Sequence, residues 1–266
     1  MTLVGNAGEE TRDRQVMHCA MDAGHILLEN GAEIDRVEET MDRICRHYAV
    51  KNGSFFVLSN GLFATDETGH GGQFADVRHI PVHGTRLDRV AAVNQLSREM
   101  EENRYTVEEL QARLRQVREM PEKPRWIRVL ASGIGSGCFC VLFGGGWMDA
   151  LGSFVAGILL YIYALFIVKG RLSKLIYSIS GGALVTAVCM LCLHFGLGES
   201  LSHMIVGSVI PLVPGVAFTN GIRDIGNEDY IAGMVRLLDA ILVFLGIATG
   251  VGFMTMLASY LGGGVL

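Results

Sequence analysis

Charge almost vanishes from this chain after Trp126, and that asymmetry restricts its fold more than any other feature. Residues 1–126 carry 37 Lys, Arg, Asp and Glu side chains, whereas the remaining 140 residues carry only 12. Charge is expensive in hydrocarbon, so the charge-poor part reads as a bundle of membrane helices. The charged part before it reads as a soluble domain of ordinary size. Of the 34 glycines, 24 fall in the charge-poor part, where small residues let helices approach closely in lipid. The net charge of −5 is modest and has no basic stripe of the kind that binds nucleic acid.

The domain at 1–126 predicts an α+β fold. Helices are expected at 11–29, with Val16, Ala20, Ala23 and Leu27 on one face, and at 33–49, with Ile34, Val37, Met41, Ile44 and Tyr48 as a buried stripe. The charge run from Glu33 to Arg46 reads as the solvated face of that second helix. Lys51-Asn52-Gly53 reads as a turn. Asn60-Gly61 is a strong hairpin signal between a strand at 54–59 and a returning strand at 62–65, with a third strand at 73–80 ended by Pro81. A helix follows from Leu87 to about Asn103. Thr106-Val-Glu-Glu109 is a capping box that opens another, ended by Pro121 and Pro124. Arg118, Lys123, Arg125 and Arg128 form a basic collar before the first span.

The N-terminal residues lack the apolar run of a secretory signal, which predicts a cytosolic domain with Cys19 and Cys45 as thiols. Cys189 and Cys192 form a CxxC inside an apolar span, outside the strand–turn context of a redox site, and read as packing. His70, His79 and His83, with Asp66 or Asp76, lack any standard zinc spacing. No nucleophile–base pair or nucleotide fingerprint appears. These absences predict no enzyme, no metal and no cofactor.

Five spans are expected, at about 127–144, 147–168, 175–197, 201–222 and 230–260. Lys169, Arg171 and Lys174 occupy one connecting loop, and Arg223 with Arg236 marks another. The alternate loops, 144–147 and 197–203, have neither Lys nor Arg. The positive-inside rule then places the N-terminus in the cytosol and the C-terminus outside. The fold class is thus an α+β cytosolic domain followed by an all-α polytopic membrane bundle of five helices. Gly133-xxx-Gly137 and Gly246-xxx-Gly250 are close-packing motifs.

Span four is unusual because it contains Pro211, Pro214 and Gly215, and two prolines three apart should break a helix. Broken backbone at membrane depth survives where it is buried in protein or lines a wet cavity, as at the substrate sites of many transporters. Thr219, Asn220, Arg223 and Asp224 follow on the second half. These seven residues are the candidate substrate site, with a packing kink as the alternative. Asp239 lies inside span five with Arg236 one turn away, and is a candidate for proton coupling or for an ion pair with Arg236 or Arg223. Asp149, at the outer edge of span two, is a third intramembrane acid, either interfacial or functional.

Leu27 to Glu38, Phe55 to Thr65, Arg86 to Asn94 and Pro211 to Asp224 together resemble the threonine/serine exporter family over about His18 to Leu257. The resemblance implies export of a small polar amino acid or, in a two-subunit branch, of succinate. This chain stops after five spans, like the shorter members, which implies a second small membrane subunit. A homo-oligomer is the other partner expected. The bacterial inner membrane is the expected location. A membrane-anchored ligand sensor or regulatory subunit is the alternative function.

Overall fold

The computed structural model describes residues 3–50, 53–68, 72–80, 84–102, 105–168 and 172–261. It is mostly helical, with one small sheet. The chain forms two compact units: Met1–Pro121 with Val216–Leu237, and Glu122–Gly215 with Leu238–Leu266.

The first unit begins with helix α1, Leu3–Glu29. Its start lies eight residues before the expected one, in a stretch that no proline interrupts. Val16, Met17, Ala20, Ala23 and Leu27 of α1 are fully buried. The helix ends at Gly31, whose φ of 87° only glycine adopts cheaply. Ala32 N–H then bonds Leu27 O at 3.0 Å, the six-to-one bond that closes a helix C-terminus. Helix α2, Ile34–His47, buries Ile34, Val37, Met41 and Ile44, the stripe that the sequence spacing predicts. It ends in the same way, with Ala49 at φ 61° and Val50 N–H on Cys45 O at 3.0 Å.

Strands β1 (Gly53–Leu58), β2 (Gly61–Thr68) and β3 (Gly72–His79) form an antiparallel sheet in chain order. The hairpin forms, but its two turn residues are Ser59-Asn60 and not Asn60-Gly61: Gly61 already pairs with Leu58 as the first residue of β2. Val57, Leu62 and Ala64 turn one face into the core. Helix α3 is Leu87–Glu102, and α4 is Val107–Arg118. Both bonds of the expected capping box form: Thr106 N–H to the Glu109 carboxylate at 2.9 Å, and Glu109 N–H to Thr106 Oγ1 at 3.3 Å. Lys51-Asn52, His70, Pro81, His83, Lys169 and Arg171 lie outside the described residues.

The second unit contains α5 (Arg125–Leu142), α6 (Trp147–Tyr163) with a π-helical turn at Ala164–Val168, α7 (Lys174–His194) and α8 (Leu201–Val209). After a 3₁₀ turn at Ile210–Leu212 come α9, Gly215–Gly226, and α10, Tyr230–Leu261. Four of these helices are long and apolar enough to cross a membrane, or five if Leu201–Leu212 and Gly215–Gly226 count as one bent span. In lipid there is little hydrophobic drive between helices, so close packing must hold them together. Both glycine motifs serve this. A Cβ on Gly133 would lie 2.7 Å from Ile158 Cγ1, and one on Gly137 would lie 3.1 Å from Ala150 O, so α5 and α6 cross at these glycines. A Cβ on Gly250 would overlap Ile179 O, and one on Gly246 would lie 2.9 Å from Ser178 Cβ, which fixes the crossing of α7 and α10.

Candidate functional site

The proline-rich break forms as expected. Pro211 sits in the 3₁₀ turn, Val213 is extended at φ −67° and ψ 124°, and Pro214 precedes the new helix. Gly215 N–H turns back to Val213 O at 2.9 Å. A Cβ built on Gly215 would meet no atom within 4 Å. The expected second half-helix therefore starts at Gly215, with space around its first residue.

In the first unit, Asn220, Arg223 and Asp224 of α9 have partners in one short segment, Gly31 to Asp35. Asn220 Nδ2 donates to Gly31 O at 2.8 Å. Arg223 Nη1 lies 2.7 Å from Glu33 Oε1. Asp224 Oδ1 accepts from Ile34 N–H at 3.4 Å, and Asp224 Oδ2 accepts from Arg236 Nη1 at 2.8 Å. Arg236 Nη2 also reaches Ala32 O at 2.9 Å. Asn227 Nδ2 donates to Asp35 Oδ2. Thr219 Oγ1 bonds within its own helix, to Val216 O at 3.1 Å.

Local structure explains the arrangement. The left-handed turn at Gly31 leaves the Gly31 and Ala32 carbonyls outside the α1 ladder. The first turn of α2 then presents Ile34 N–H as an orphan donor, and a carboxylate is its natural acceptor. At the other end, Asp229 N–H bonds Asp224 O at 2.8 Å and Glu228 stands at φ 73°, so α9 closes as α1 and α2 do. Partial burial, with Asp35 close by, pushes the Asp229 carboxyl up from its ordinary value.

Two expectations change here. Glu33 and Asp35 are not simply part of a solvated face, since each bonds a side chain nearly two hundred residues along the chain. Arg236 pairs with Asp224 rather than Asp239, because Asp224 closes α9 where Arg236 can reach it. The sequence carries one signal for this, the helix stop Asn30-Gly31. A helix stop followed at once by a helix start concentrates unsatisfied backbone groups in a few residues.

The other two acids lie in the second unit. Asp239 Oδ2 is 2.7 Å from Lys174 Nζ, with both side chains substantially exposed. Asp149 is buried and accepts three backbone donors: Gly146 N–H at 3.0 Å, Glu199 N–H at 2.6 Å and Ser200 N–H at 2.8 Å. It caps α6 and holds the connection before α8. Among the described residues, no group of three or more His, Cys, Asp and Glu is placed to hold a metal ion.

Apolar helices of spanning length, with one bent pair joined at a proline-containing break, mark a multi-pass membrane protein. Residues 18–258 match the family described as "Putative threonine/serine exporter", and the chain belongs to that family. It is 25% identical over 244 residues to the "Probable succinate transporter subunit YjjP" of Klebsiella aerogenes, covering 91% of this chain and 94% of that one. It is also 25% identical over 242 residues to the protein of the same name in Escherichia coli K12, covering 90% and 93%. Pheromone-regulated membrane protein 10 of Debaryomyces hansenii is 24% identical over 241 residues, covering 85% of this chain but 23% of that longer one. No solved structure matches the chain.

Proposed function

We propose that this chain is the domain-bearing membrane subunit of a secondary exporter. Its cargo is a small carboxylate-bearing metabolite: threonine or serine, as the family description suggests, or a dicarboxylate such as succinate, as the bacterial relatives' names suggest. The observation that carries this is the break at Pro211–Gly215, with open space at Gly215. A helix N-terminus at depth favours an anion, and a carboxylate is the group the candidate cargoes share. Pro211, Pro214, Gly215 and Thr219 form the cargo-facing part. Asn220, Arg223 and Asp224 hold α9 through their bonds to Gly31–Asp35. In this reading the protein lies in a bacterial inner membrane, with residues 1–126 cytosolic and five spans. A second small membrane subunit, self-association or both complete the exporter.

Efflux of labelled threonine, serine and succinate from loaded cells, with and without the protein, tests the reading. Gly215→Leu is the decisive variant, because a side chain there meets none of the protein's own atoms at Cβ. It should abolish efflux while leaving the amount of inserted protein unchanged. Normal efflux from both Gly215→Leu and Pro214→Ala would make the break a packing kink.

A further inference from the structure

The outer edge of the sheet carries a pattern that fits a second copy of itself. Ile80 N–H bonds Asn60 O at 2.8 Å. By the alternation of an antiparallel ladder, Asp76 and Arg78 then turn their peptide groups towards β2, and Ala75, Val77 and His79 turn theirs to the open edge. The opposite edge is treated differently: the outward N–H of Val57 in β1 is taken by Glu38 Oε1 at 3.1 Å. Among the described residues, no further strand pairs with β3.

The side chains add to this. Phe56, Phe63 and Val77 lie opposite one another across the three strands, on the face away from the core. The Phe56 and Phe63 rings are 6.0 Å apart, yet Phe56 is 57% exposed and Val77 66%. Large apolar side chains leading to an open strand edge invite pairing with another chain. On the other face Asp76 and Arg78 flank Val77, an acid and a base two residues apart, 3.0 Å from each other.

We propose that β3 pairs antiparallel with β3 of a second copy about a twofold axis at Val77. Val77 then faces Val77, and their outward N–H and C=O groups bond each other. Asp76 of each copy faces Arg78 of the other. The row of Phe56, Phe63 and Val77 continues into its symmetry mate, giving one six-stranded sheet. Moving the axis by one residue sets Asp76 against Asp76 or Arg78 against Arg78, and like charges directly opposite are destabilising, so charge selects the register. An isologous twofold contact needs such a self-complementary patch. This interface rests on the self-association named above and not on what the chain transports.

Val77→Cys in the full-length protein, in membranes and in a Cys138→Ser background that removes the exposed native thiol, tests it. A hydrogen-bonded pair has a Cα separation of about 5.5 Å, within disulfide range. Oxidation should link Val77→Cys into dimers and leave Ser54→Cys, on the same face at the far strand, unlinked. Val77→Lys should shift the mass measured by light scattering from dimer to monomer without changing the helical content. A dimeric wild type whose Val77→Cys form does not link would place self-association elsewhere. Equal linking through Ser54→Cys would mean random collision, and a wild type that is monomeric at every concentration would remove the interface. In each case the efflux assay would still report on transport by itself.

Discussion

Asp224 and Arg236 form a buried ion pair, 2.8 Å apart, with side chains 2% and 12% exposed. Each has one further partner: Ile34 N–H donates to Asp224, and Arg236 donates to Ala32 O. A buried pair of this kind adds little by existing, but removing one member strands the other charge. Asp224→Asn should therefore destabilise the protein by about 3–5 kcal/mol, seen as a lower Tm of the purified protein. The double variant Asp224→Asn/Arg236→Gln should cost less than the sum of its parts. Additive losses would mean that the two residues do not act as a pair.

Asp239 makes a contrast. Its bridge to Lys174 is substantially exposed, and such bridges contribute about 0–1 kcal/mol. Asp239→Asn should leave Tm and insertion unchanged. If Asp239 carries the coupling proton, efflux driven by a pH gradient disappears in this variant. An unchanged pH dependence leaves it as a structural acid.

Asp149 should behave in the opposite way. Its three backbone donors lie in a buried setting, and losing a charged cap of this kind costs about 2–3 kcal/mol. Asp149→Ala should lower Tm and the amount of inserted protein. Efflux per inserted molecule should stay near that of the wild type.

Burial, and then the Arg118 guanidinium, hold the His25 imidazole below its ordinary value, although Glu29 and Asp22 pull the other way. Above about pH 6.5 the residue is neutral both folded and unfolded, so it adds no pH dependence. Below that the unfolded chain takes the proton first, and stability falls as pH drops until the folded His25 also protonates. Glu38, pushed up by burial, acts in the opposite sense at lower pH. The difference between wild type and His25→Gln isolates the histidine. The variant should lose less Tm than wild type between about pH 6.5 and 5.

The charge of the loops predicts an orientation. A reporter fused after Leu266 should be active only on the outer side of the membrane, and one fused before Thr2 only in the cytosol. Activity of the C-terminal fusion in the cytosol would mean that α8 and α9 do not count as one span.

What the sequence made legible was local. Thr106 and Glu109 lie three residues apart, the Asn60-Gly61 signal marks a hairpin that turns one residue earlier at Ser59-Asn60, and Pro211 and Pro214 break the helix that contains them. Each of these needs only its neighbours. The small residues of Gly246-xxx-Gly250 could be seen, but not that Ile179 lies against them. Asp149 and Asp224 could be recognised as rare acids, whereas some of their partners are backbone groups about 50 and 190 residues away. Backbone groups carry no signature of their own in a sequence, so such partners are invisible to spacing. The π-helical turn at Ala164–Val168 likewise has no local cue.

Gly31, Ala32, Glu33, Ile34 and Asp35 each make one bond to a residue between Asn220 and Arg236, in five consecutive positions. Three of those bonds use main-chain atoms, which any residue other than a proline at position 34 would supply. Point changes at Ala32 or Ile34 can therefore leave the bonding row in place provided that they still fit the core. Inserting or deleting a single residue between Gly31 and Asp35 cannot, because it would slide every group past its partner at once. What this stretch must preserve is its length, more than its spelling.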